Sequence, residues 1–508
     1  MGLRTWLIAV VAFALLPFTA AHAEWREATS EHFVVVSEGS ERELVRMSRQ
    51  LEAVHWLMTA ATGVSPTGDV QRVKIYLVAN IGQVHRAIGA NNNSEVAGFY
   101  NSNINGAYAV VPRSEGEFST TILFHEYTHH FMRQYMEQAF PLWVNEGFAE
   151  VLSTASFERE GHITFGKPAN HRAYELDGGV PWVPVPRMFA PLSADDDKAG
   201  VASYGQYWLT THYLIFEPTR RNQLNQFINA LNRGVPIADA YAMFPGGLEA
   251  LDRELRSYLR RSSYTYVPVP LPEGVQTMPT VRVVRPGEAA AMLLELQANR
   301  HLDDEERRAL AARIGQSVTQ HPDDPAVGLL HTRILFELED WAAASAAADR
   351  VLAIDPANVR ALAYKGWADL SAAEATGTDL SPADASRLRA PIVRANRASP
   401  NDPLPLIAYF YSFPLAGQPT PDIAIQGLLR AVALVPQEDG LRMTAATLLI
   451  GRHVLPLARR TLLPVAYAPH QSPLQQQALL LVKWIDDGAE GEPPRYIPPL
   501  PMPEVEGD

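Results

Sequence analysis

Two histidines and a glutamate in the second quarter of the chain have the spacing of a metal site. The stretch His125-Glu126-Tyr127-Thr128-His129 is an HExxH sequence inside a run with helical periodicity. Residues four apart lie on one face of a helix, so both imidazoles can bind one metal ion, with Glu126 beside them. Zinc suits this set because it accepts imidazole nitrogen and carboxylate oxygen in a tetrahedron and leaves one position for water.

A second acidic segment begins a few residues further on. Glu146 follows His129 by seventeen residues and lies in the string WVNEGFAE, residues 143–150, which is predicted to be a short helix. Together with the HExxH motif, this string resembles the gluzincin metallopeptidases, the group of thermolysin and aminopeptidase N. The resemblance implies that His125, His129 and Glu146 bind zinc and that Glu126 is the general base.

The same resemblance assigns roles to two further residues. Glu150 lies one turn beyond Glu146, and in the thermolysin pattern a carboxylate at that place orients a ligand histidine. Tyr204 is the candidate donor to the oxyanion, because gluzincins place a tyrosine on a helix downstream of the third ligand. Tyr207 and His212 share the predicted helix and compete for that role.

The order of elements is similar to a narrower group. A strand EHFVVVS, a long helix, a strand VKIYLVAN, a Gly-Phe-Tyr edge, the two motifs and a Tyr-Gly-Gln helix follow one another over residues 24–261. This order resembles bacterial gluzincin-like proteins that are fused to tetratricopeptide repeats. The Gly-x-Met-Glu-Asn motif, which holds the substrate amine in aminopeptidase N relatives, is missing, since the nearest stretch, residues 105–108, has no glutamate. The resemblance therefore favours an endopeptidase.

The residues around the motifs predict an α+β domain over residues 24–263, and the resemblance implies that its fold is thermolysin-like, of gluzincin type. Short β-branched runs at 32–37 and Val73–Val78 predict strands, with an amphipathic helix between them. The stretches 97–100 and 107–111 predict a pair of edge strands. The second of these precedes the motif helix and is expected to offer its exposed edge to an extended substrate.

The rest of the chain divides by composition. Residues 1–23 combine one arginine, an eleven-residue apolar run and a small-x-small site, which predicts a secretory signal peptide, with an uncleaved anchor as the alternative. Five prolines within residues 264–286 predict a Pro-rich linker. Residues 287–486 are rich in alanine and leucine, with prolines recurring every 34 to 44 residues, which predicts an all-α domain of tetratricopeptide-like repeats. Residues 487–508 predict a Pro-rich flexible tail.

Charge and composition narrow the range of partners. The 508 residues have a net charge of −13 and no cysteine, which argues against nucleic-acid binding and excludes disulfides and thiolate ligands. No stretch after the signal peptide is long and apolar enough to span a bilayer. We therefore expect a secreted, periplasmic protein without stable membrane insertion, a peptide or protein substrate, and a partner or substrate bound to the repeats.

Other functions remain open on the sequence alone. One is a weakly active or inactive envelope scaffold that binds partners through its repeats, with zinc only stiffening the fold. Glu126 argues against it, because a purely structural zinc has no use for a base beside an open coordination position. Another is a hydrolase of small substrates with the same metal. His130 points away from the ligand face and is predicted to be a packing or surface residue.

Overall fold

The computed structural model of the protein describes most of the chain between residues 24 and 496. The described ranges are 24–64, 71–89, 96–113, 116–136, 140–157, 161–190, 203–220, 222–233, 235–300, 302–468 and 472–496. The predicted signal peptide, residues 1–23, lies outside these ranges, and so do residues 497–508 of the predicted tail.

The first half of the chain contains a six-stranded mixed sheet and a separate two-stranded sheet. Their strands are β1 (Arg26–Thr29), β2 (Phe33–Ser37), β3 (Val73–Val78), β4 (Phe99–Asn103), β5 (Gly106–Pro112), β6 (His162–Phe165), β7 (Val267–Pro270) and β8 (Thr280–Val283). The large sheet has the order β4-β5-β3-β2-β1-β8, and β6 pairs with β7. β3 is parallel to both β2 and β5, and the other pairs are antiparallel.

Helices of about three to six turns alternate with shorter ones in this half. They are α1 (Glu41–Thr62), α2 (Ile81–Ile88), α3 (Glu117–Tyr135), α4 (Leu142–Ser153), α5 (Val185–Met188), α6 (Tyr204–Phe216), α7 (Gln223–Asn232), α8 (Ile237–Tyr241) and α9 (Gly247–Leu259). The residues at the two ends of α1 explain where this helix begins and ends. Ser40 and Glu43 form a capping box at its start, and Gly63 ends it in the left-handed region at φ 68°.

Helices cover both faces of the large sheet. Side chains alternate along each strand, so Val35 and Ile75 pack under α1 and α3 on one face. On the other face, Tyr76 and Val110 pack under α2 and under α10 (Pro286–Ala298), the first helix of the second half. The sheet is therefore a central layer, and α3, which carries the HExxH motif, lies directly on it.

A second core lies beyond the sheet. It is built by α4 to α9 and is rich in aromatic side chains, among them Trp143, Trp208 and Phe227. The indole of Trp143 stacks on Phe189 with the ring centroids 4.1 Å apart. These contacts hold α4 in the core that it forms with α5 to α9.

The segment predicted to be a linker, residues 264–286, is tied into both sheets. β7 pairs with β6, with Val269 opposite Ile163, and β8 pairs with β1, with Val281 opposite Ala28. Its prolines keep it extended and are tolerated because both strands lie at sheet edges. The segment is therefore extended, as expected, but part of the sheets rather than a free connector. The position of a domain boundary stays a prediction.

The second half is a region of helical repeats. After α10, its helices are α11 (Asp304–Gln320), α12 (Pro325–Glu337), α13 (Trp341–Ile354), α14 (Val359–Ala375), α15 (Pro382–Ala398), α16 (Pro403–Tyr411), α17 (Asp422–Leu434), α18 (Asp439–Gly451), α19 (Leu455–Ala466) and α20 (Pro473–Asp486). Successive helices pack on one another along the chain. Polar caps begin many of them, for example Asp340 and Ser381.

The two halves are in contact. The turn between β4 and β5 enters the repeat region, where Ile104 packs against its core and Arg360 donates a hydrogen bond to Asn105 Oδ1 at 3.0 Å. Asn103 of β4 donates to Asn299 Oδ1 at 3.3 Å. Among the residues that the structure describes, no helix has the length and hydropathy needed to cross a membrane.

Candidate metal centre

One glycine allows α4 to pack closely against α6. Gly147 of α4 lies so close to α6 that an added Cβ would be 1.9 Å from Thr211 Oγ1 and 2.7 Å from the Tyr207 carbonyl oxygen. Only glycine permits this approach. The approach fixes α4 against α6, and it places the preceding residue, Glu146, over the histidines of α3.

The structure brings His125, His129 and Glu146 together. The Nε2 atoms of the two imidazoles are 3.2 Å apart. Glu146 Oε2 lies 3.4 Å from Nε2 of His125 and 3.5 Å from Nε2 of His129. Within the described residues, these three form the one group of three or more histidine or acidic side chains close enough to share a metal ion.

This spacing fits a tetrahedral zinc ion. Ligands about 2.0–2.1 Å from such an ion lie about 3.3–3.4 Å from one another, and the three donor atoms have separations of 3.2 to 3.5 Å. The glutamate oxygen that faces both imidazoles is buried without a hydrogen-bond partner among the described residues. A buried acceptor left in this way needs a partner, and a cation between the three atoms would supply it.

Glu150 lies behind His125 and is fully buried. Its Oε1 is 3.2 Å from Nδ1 of His125, so the carboxylate orients the ring with Nε2 toward the other donors. The same carboxylate accepts hydrogen bonds from Arg172, at 2.7 Å, and from His171 Nε2, at 3.0 Å. Thus one buried carboxylate joins three basic side chains.

His171 and Arg172 were not found from the sequence. They lie in a short 3-10 turn, residues Asn170–Arg172, more than twenty residues after Glu150. Neither belongs to a motif or to a periodic pattern, so their contact with the site arises only in the folded chain. A buried acid such as Glu150 does require basic partners, but the sequence does not identify them.

The charges in the site shift the pKa values of its groups in opposite directions. Burial would lower the pKa of His125, but the nearby carboxylates of Glu146 and Glu150 outweigh burial and raise the pKa to about 10. Burial would raise the pKa of Glu146, but the two imidazoles lower it to about 2. Without a cation, the site therefore holds a proton, which a metal ion must displace in order to bind.

Tyr204 lies at the edge of the site. It begins α6, and its ring centroid is 6.0 Å from that of His125, with 37% of the residue exposed. The guanidinium of Arg172 stacks over the ring at 4.7 Å from the centroid. Burial and the charge of Glu146 raise the pKa of Tyr204 to about 12, so its hydroxyl keeps its proton at neutral pH and can donate a hydrogen bond.

The two competitors for the role of Tyr204 have other positions. His212 is completely buried, and its ring nitrogens contact the hydroxyl of Tyr258 and the carbonyl oxygens of Gly166 and Thr265. Tyr207 is 3% exposed and belongs to the aromatic core. Of these three residues on α6, Tyr204 has the ring that contacts a predicted ligand.

Glu126 lies between the two histidines on α3 and is partly exposed. Glu146 and Glu150, in contrast, are buried. The residue predicted as the base is thus less buried than the two glutamates that are predicted to hold and orient the metal.

The strand expected to present its edge to a substrate is not at the edge. Residues 107–111 belong to β5, which pairs with β3 on one side and with β4 on the other, so both of its edges are occupied. β4 is the terminal strand of the sheet and packs beside α3. The edge next to the motif helix is therefore that of β4, because the turn at residues 104–105 folds β4 back over β5.

His130 is a buried hydrogen-bonded residue rather than a surface one. It is 4% exposed, and its Nδ1 lies 2.7 Å from the hydroxyl of Tyr100 on β4. Burial lowers its pKa to about 3, so the ring is neutral. His32 and His55 stack on one another with centroids 3.7 Å apart, and His32 pairs with Glu52.

Comparisons with known proteins give little information. No protein-family model matches the chain, and no curated protein matches it. The chain is similar to a thermophilic TPR protein from Thermus thermophilus, with 17% identity and a TM-score of 0.32, over 38% of this chain and 98% of that chain. A TM-score this low supports no conclusion about the fold. The second half is therefore described as helical repeats on the basis of its own helices.

Proposed function

We propose that the protein is a zinc-dependent endopeptidase of gluzincin type whose helical repeats bind the substrate or a protein partner. The observation that carries the proposal is the spacing of His125 Nε2, His129 Nε2 and Glu146 Oε2, which lie 3.2 to 3.5 Å apart. Side chains that merely pack together have no reason to present three donors at the separations of a tetrahedral ion. Export to the periplasm stays a prediction from the sequence.

Each residue of the site has a role in this reaction. Bound zinc would polarise the substrate carbonyl and lower the pKa of a water molecule. Glu126 takes the proton of the attacking water and gives it to the leaving amine. The hydroxyl of Tyr204 donates a hydrogen bond to the oxygen that becomes negatively charged. Glu150 holds the ring of His125 in place throughout.

The position of β4 supports an extended substrate. β4 pairs only with β5 among the described strands, so the backbone groups on its other side can pair with a peptide by strand addition. Because β4 lies beside α3, a peptide added there would run past the HExxH helix. A polypeptide suits this arrangement better than a small substrate does.

Metal content and one substitution test the proposal. The purified protein should contain about one zinc ion per chain. Glu126→Gln should lower the rate of peptide hydrolysis at least about 100-fold, because the amide cannot take the proton, while zinc content and the circular dichroism spectrum stay unchanged. Glu374→Gln, an exposed acid on α14, is the matched control and should retain full activity.

Either of two results would contradict the proposal. If the protein contains no stoichiometric zinc after purification without chelators, the three donor atoms do not form a zinc site. Full hydrolysis by the Glu126→Gln protein would show that the base lies elsewhere.

A scaffold that binds a protein partner through its repeats is the second candidate. It is favoured by the extent of the repeat region, since α10 to α20 make up much of the described chain, and stacked helical repeats form extended binding surfaces. In that case zinc would bind but Glu126→Gln would change no measurable activity, because the wild-type protein would hydrolyse no peptide. A peptide-library assay with wild-type protein separates the two candidates.

A further inference from the structure

The repeat region contacts the motif helix itself. Gln437, just before α18, donates from Nε2 to Nδ1 of His130 at 3.1 Å. The same amide nitrogen lies 3.0 Å from Gln134 Oε1. One turn along α3, Arg133 forms an ion pair with Asp439, the first residue of α18. These contacts join residues about 300 positions apart in the sequence.

Three elements meet at a single ring nitrogen. Nδ1 of His130 faces both the hydroxyl of Tyr100, at 2.7 Å, and the amide of Gln437, at 3.1 Å. Tyr100 belongs to β4, His130 to α3, and Gln437 leads into α18. The imidazole and the amide are both buried, at 4% and 9% exposure. A buried polar group that loses its partner costs about 1–3 kcal/mol, so this junction is sensitive to any change in the position of α18.

Two of the three contacting residues of α3, His130 and Gln134, lie on the side away from the metal ligands, whereas Arg133 is turned by only about 40° from His129. At 100° per residue, His130 and Gln134 are turned by about 140° and 180° from His125. α3 is therefore held from two sides, by α4 through Glu146 and Glu150 and by α18 through the junction. No residue separates the outer contact from a ligand, since His130 directly follows His129.

We propose that Gln437 and Asp439 are positioning residues for the metal centre, so that the repeat region forms part of the framework that sets α3 against α4. The inference rests on the proposed zinc function only for its effect on metal binding. Loss of the junction frees α3 to move relative to Glu146, and the three donor atoms then lose the separations that fit one ion. A macromolecule that displaces α18 would change the metal site through the same residues.

The test uses full-length protein with substitutions that conserve volume. Gln437→Met keeps an unbranched side chain but removes the donor, and Asp439→Asn keeps the size but removes the charge. In the double variant, amide hydrogen exchange in residues 118–136 should rise about tenfold, and the dissociation constant for zinc should rise by a similar factor. Asp422→Asn is the control, because it removes a 2.8 Å ion pair with Arg452 at the other end of α18.

The readouts separate this inference from the proposed function. Faster exchange in residues 118–136 of the double variant, but not of the control, supports the junction even if the wild-type protein proves to bind no zinc. Unchanged exchange in those residues overturns the inference, whatever the metal content. If the double variant unfolds, each single variant is measured instead. Unchanged exchange in residues 118–136 of both single variants also overturns the inference.

Discussion

Helix α4 and helix α13 have similar lengths and opposite interiors. α4 buries Glu146, Glu150 and Asn145, whereas α13 buries Ala344, Ala347, Ala348 and Val351. Burial of a carboxylate costs several kcal/mol unless basic groups or a metal surround it. Alanine has no such cost and lets helices approach closely.

The two halves of the chain differ in what their buried side chains contribute. The first half places two buried acids within reach of His125, His129, His171 and Arg172, an arrangement with a chemical use but little net stability. The interior of the repeat half is mainly apolar, although it also buries polar side chains such as Arg333 and Arg442. Substitutions should therefore act on metal binding in the first half and on stability in the second.

The largest effect is expected from removal of the carboxylate ligand. Glu146→Ala should weaken zinc binding about 100- to 1,000-fold, since one ligand of four supplies roughly a quarter of the 10–16 kcal/mol typical of a zinc site. Competition with a fluorescent chelator measures the change. Glu254→Gln is the matched control, because Glu254 pairs with Arg220 in the same half but not near the ligands. If the two variants bind zinc with equal affinity, Glu146 is not a zinc ligand.

Loss of the Tyr204 hydroxyl should affect turnover and not binding. Tyr204→Phe should lower kcat about 100-fold with little change in KM and none in zinc content. Steady-state kinetics with a peptide substrate gives both constants. Tyr174→Phe, an exposed tyrosine, should change neither, and a Tyr204→Phe protein with the wild-type kcat would leave the oxyanion without its proposed donor.

The buried acid behind His125 should have an intermediate effect. Glu150→Gln keeps the shape of the side chain but removes the charge that faces His125, His171 and Arg172. We expect zinc affinity to fall about 10- to 100-fold, as for other partners of ligand histidines. Calorimetric titration with zinc measures this change, and an unaltered affinity would mean that Glu150 serves packing only.

A tight glycine in the repeats tests the other half of the comparison. A Cβ at Gly366 would lie 2.7 Å from Ile392 Cγ1 and 2.9 Å from the Leu388 carbonyl oxygen, so Gly366→Ala should cost about 1–3 kcal/mol of stability. Zinc content should not change. At Gly427 the nearest atom, Leu406 Cδ2, is 3.7 Å away, and Gly427→Ala should be neutral or slightly stabilising. Denaturant unfolding of both variants checks the contrast.

The smallest effect concerns pH at the junction of the halves. Burial and the adjacent charge of Asp439 raise the pKa of Glu438 to about 7, while Arg133 acts against them. The folded protein therefore holds this proton more tightly than the unfolded chain does, and the free energy of unfolding should fall as pH rises from about 4.5 to 7.

Glu438→Gln isolates that contribution. The variant should lose this part of the pH dependence while other groups keep theirs. Denaturant unfolding at several pH values measures the slope, and identical slopes in the variant and the wild-type protein would show that Glu438 does not titrate in this range.

The sequence predicted the elements more readily than their contacts. The HExxH spacing was sufficient to place His125 and His129 on one face of a helix, because helical geometry is local. The role of Gly147 in the packing of α4 against α6 could not be predicted, since its neighbour Thr211 belongs to a helix 64 residues later. Arg172 was missed for the same reason.

Sheet topology was the other source of error. Residues 107–111 have the composition of an edge strand, but strand order is decided by the whole chain, and the hairpin folds β4 outside β5. The prolines of residues 264–286 correctly indicated an extended backbone. They gave no sign that this backbone pairs with β1 and β6.

The pairing of β1 with β8 has a consequence for biosynthesis. Arg26 and Val283 are opposite one another, so β1 can pair with β2 at once, but more than 250 residues must leave the ribosome before it can pair with its other neighbour, β8. Until then, one side of the nascent sheet is open to pairing with another chain. We therefore expect a gene fragment that ends before residue 280 to yield a protein that aggregates. A fragment that includes residue 283 contains β8, which pairs with β1 and closes this edge of the sheet, and it lacks only the helices that follow.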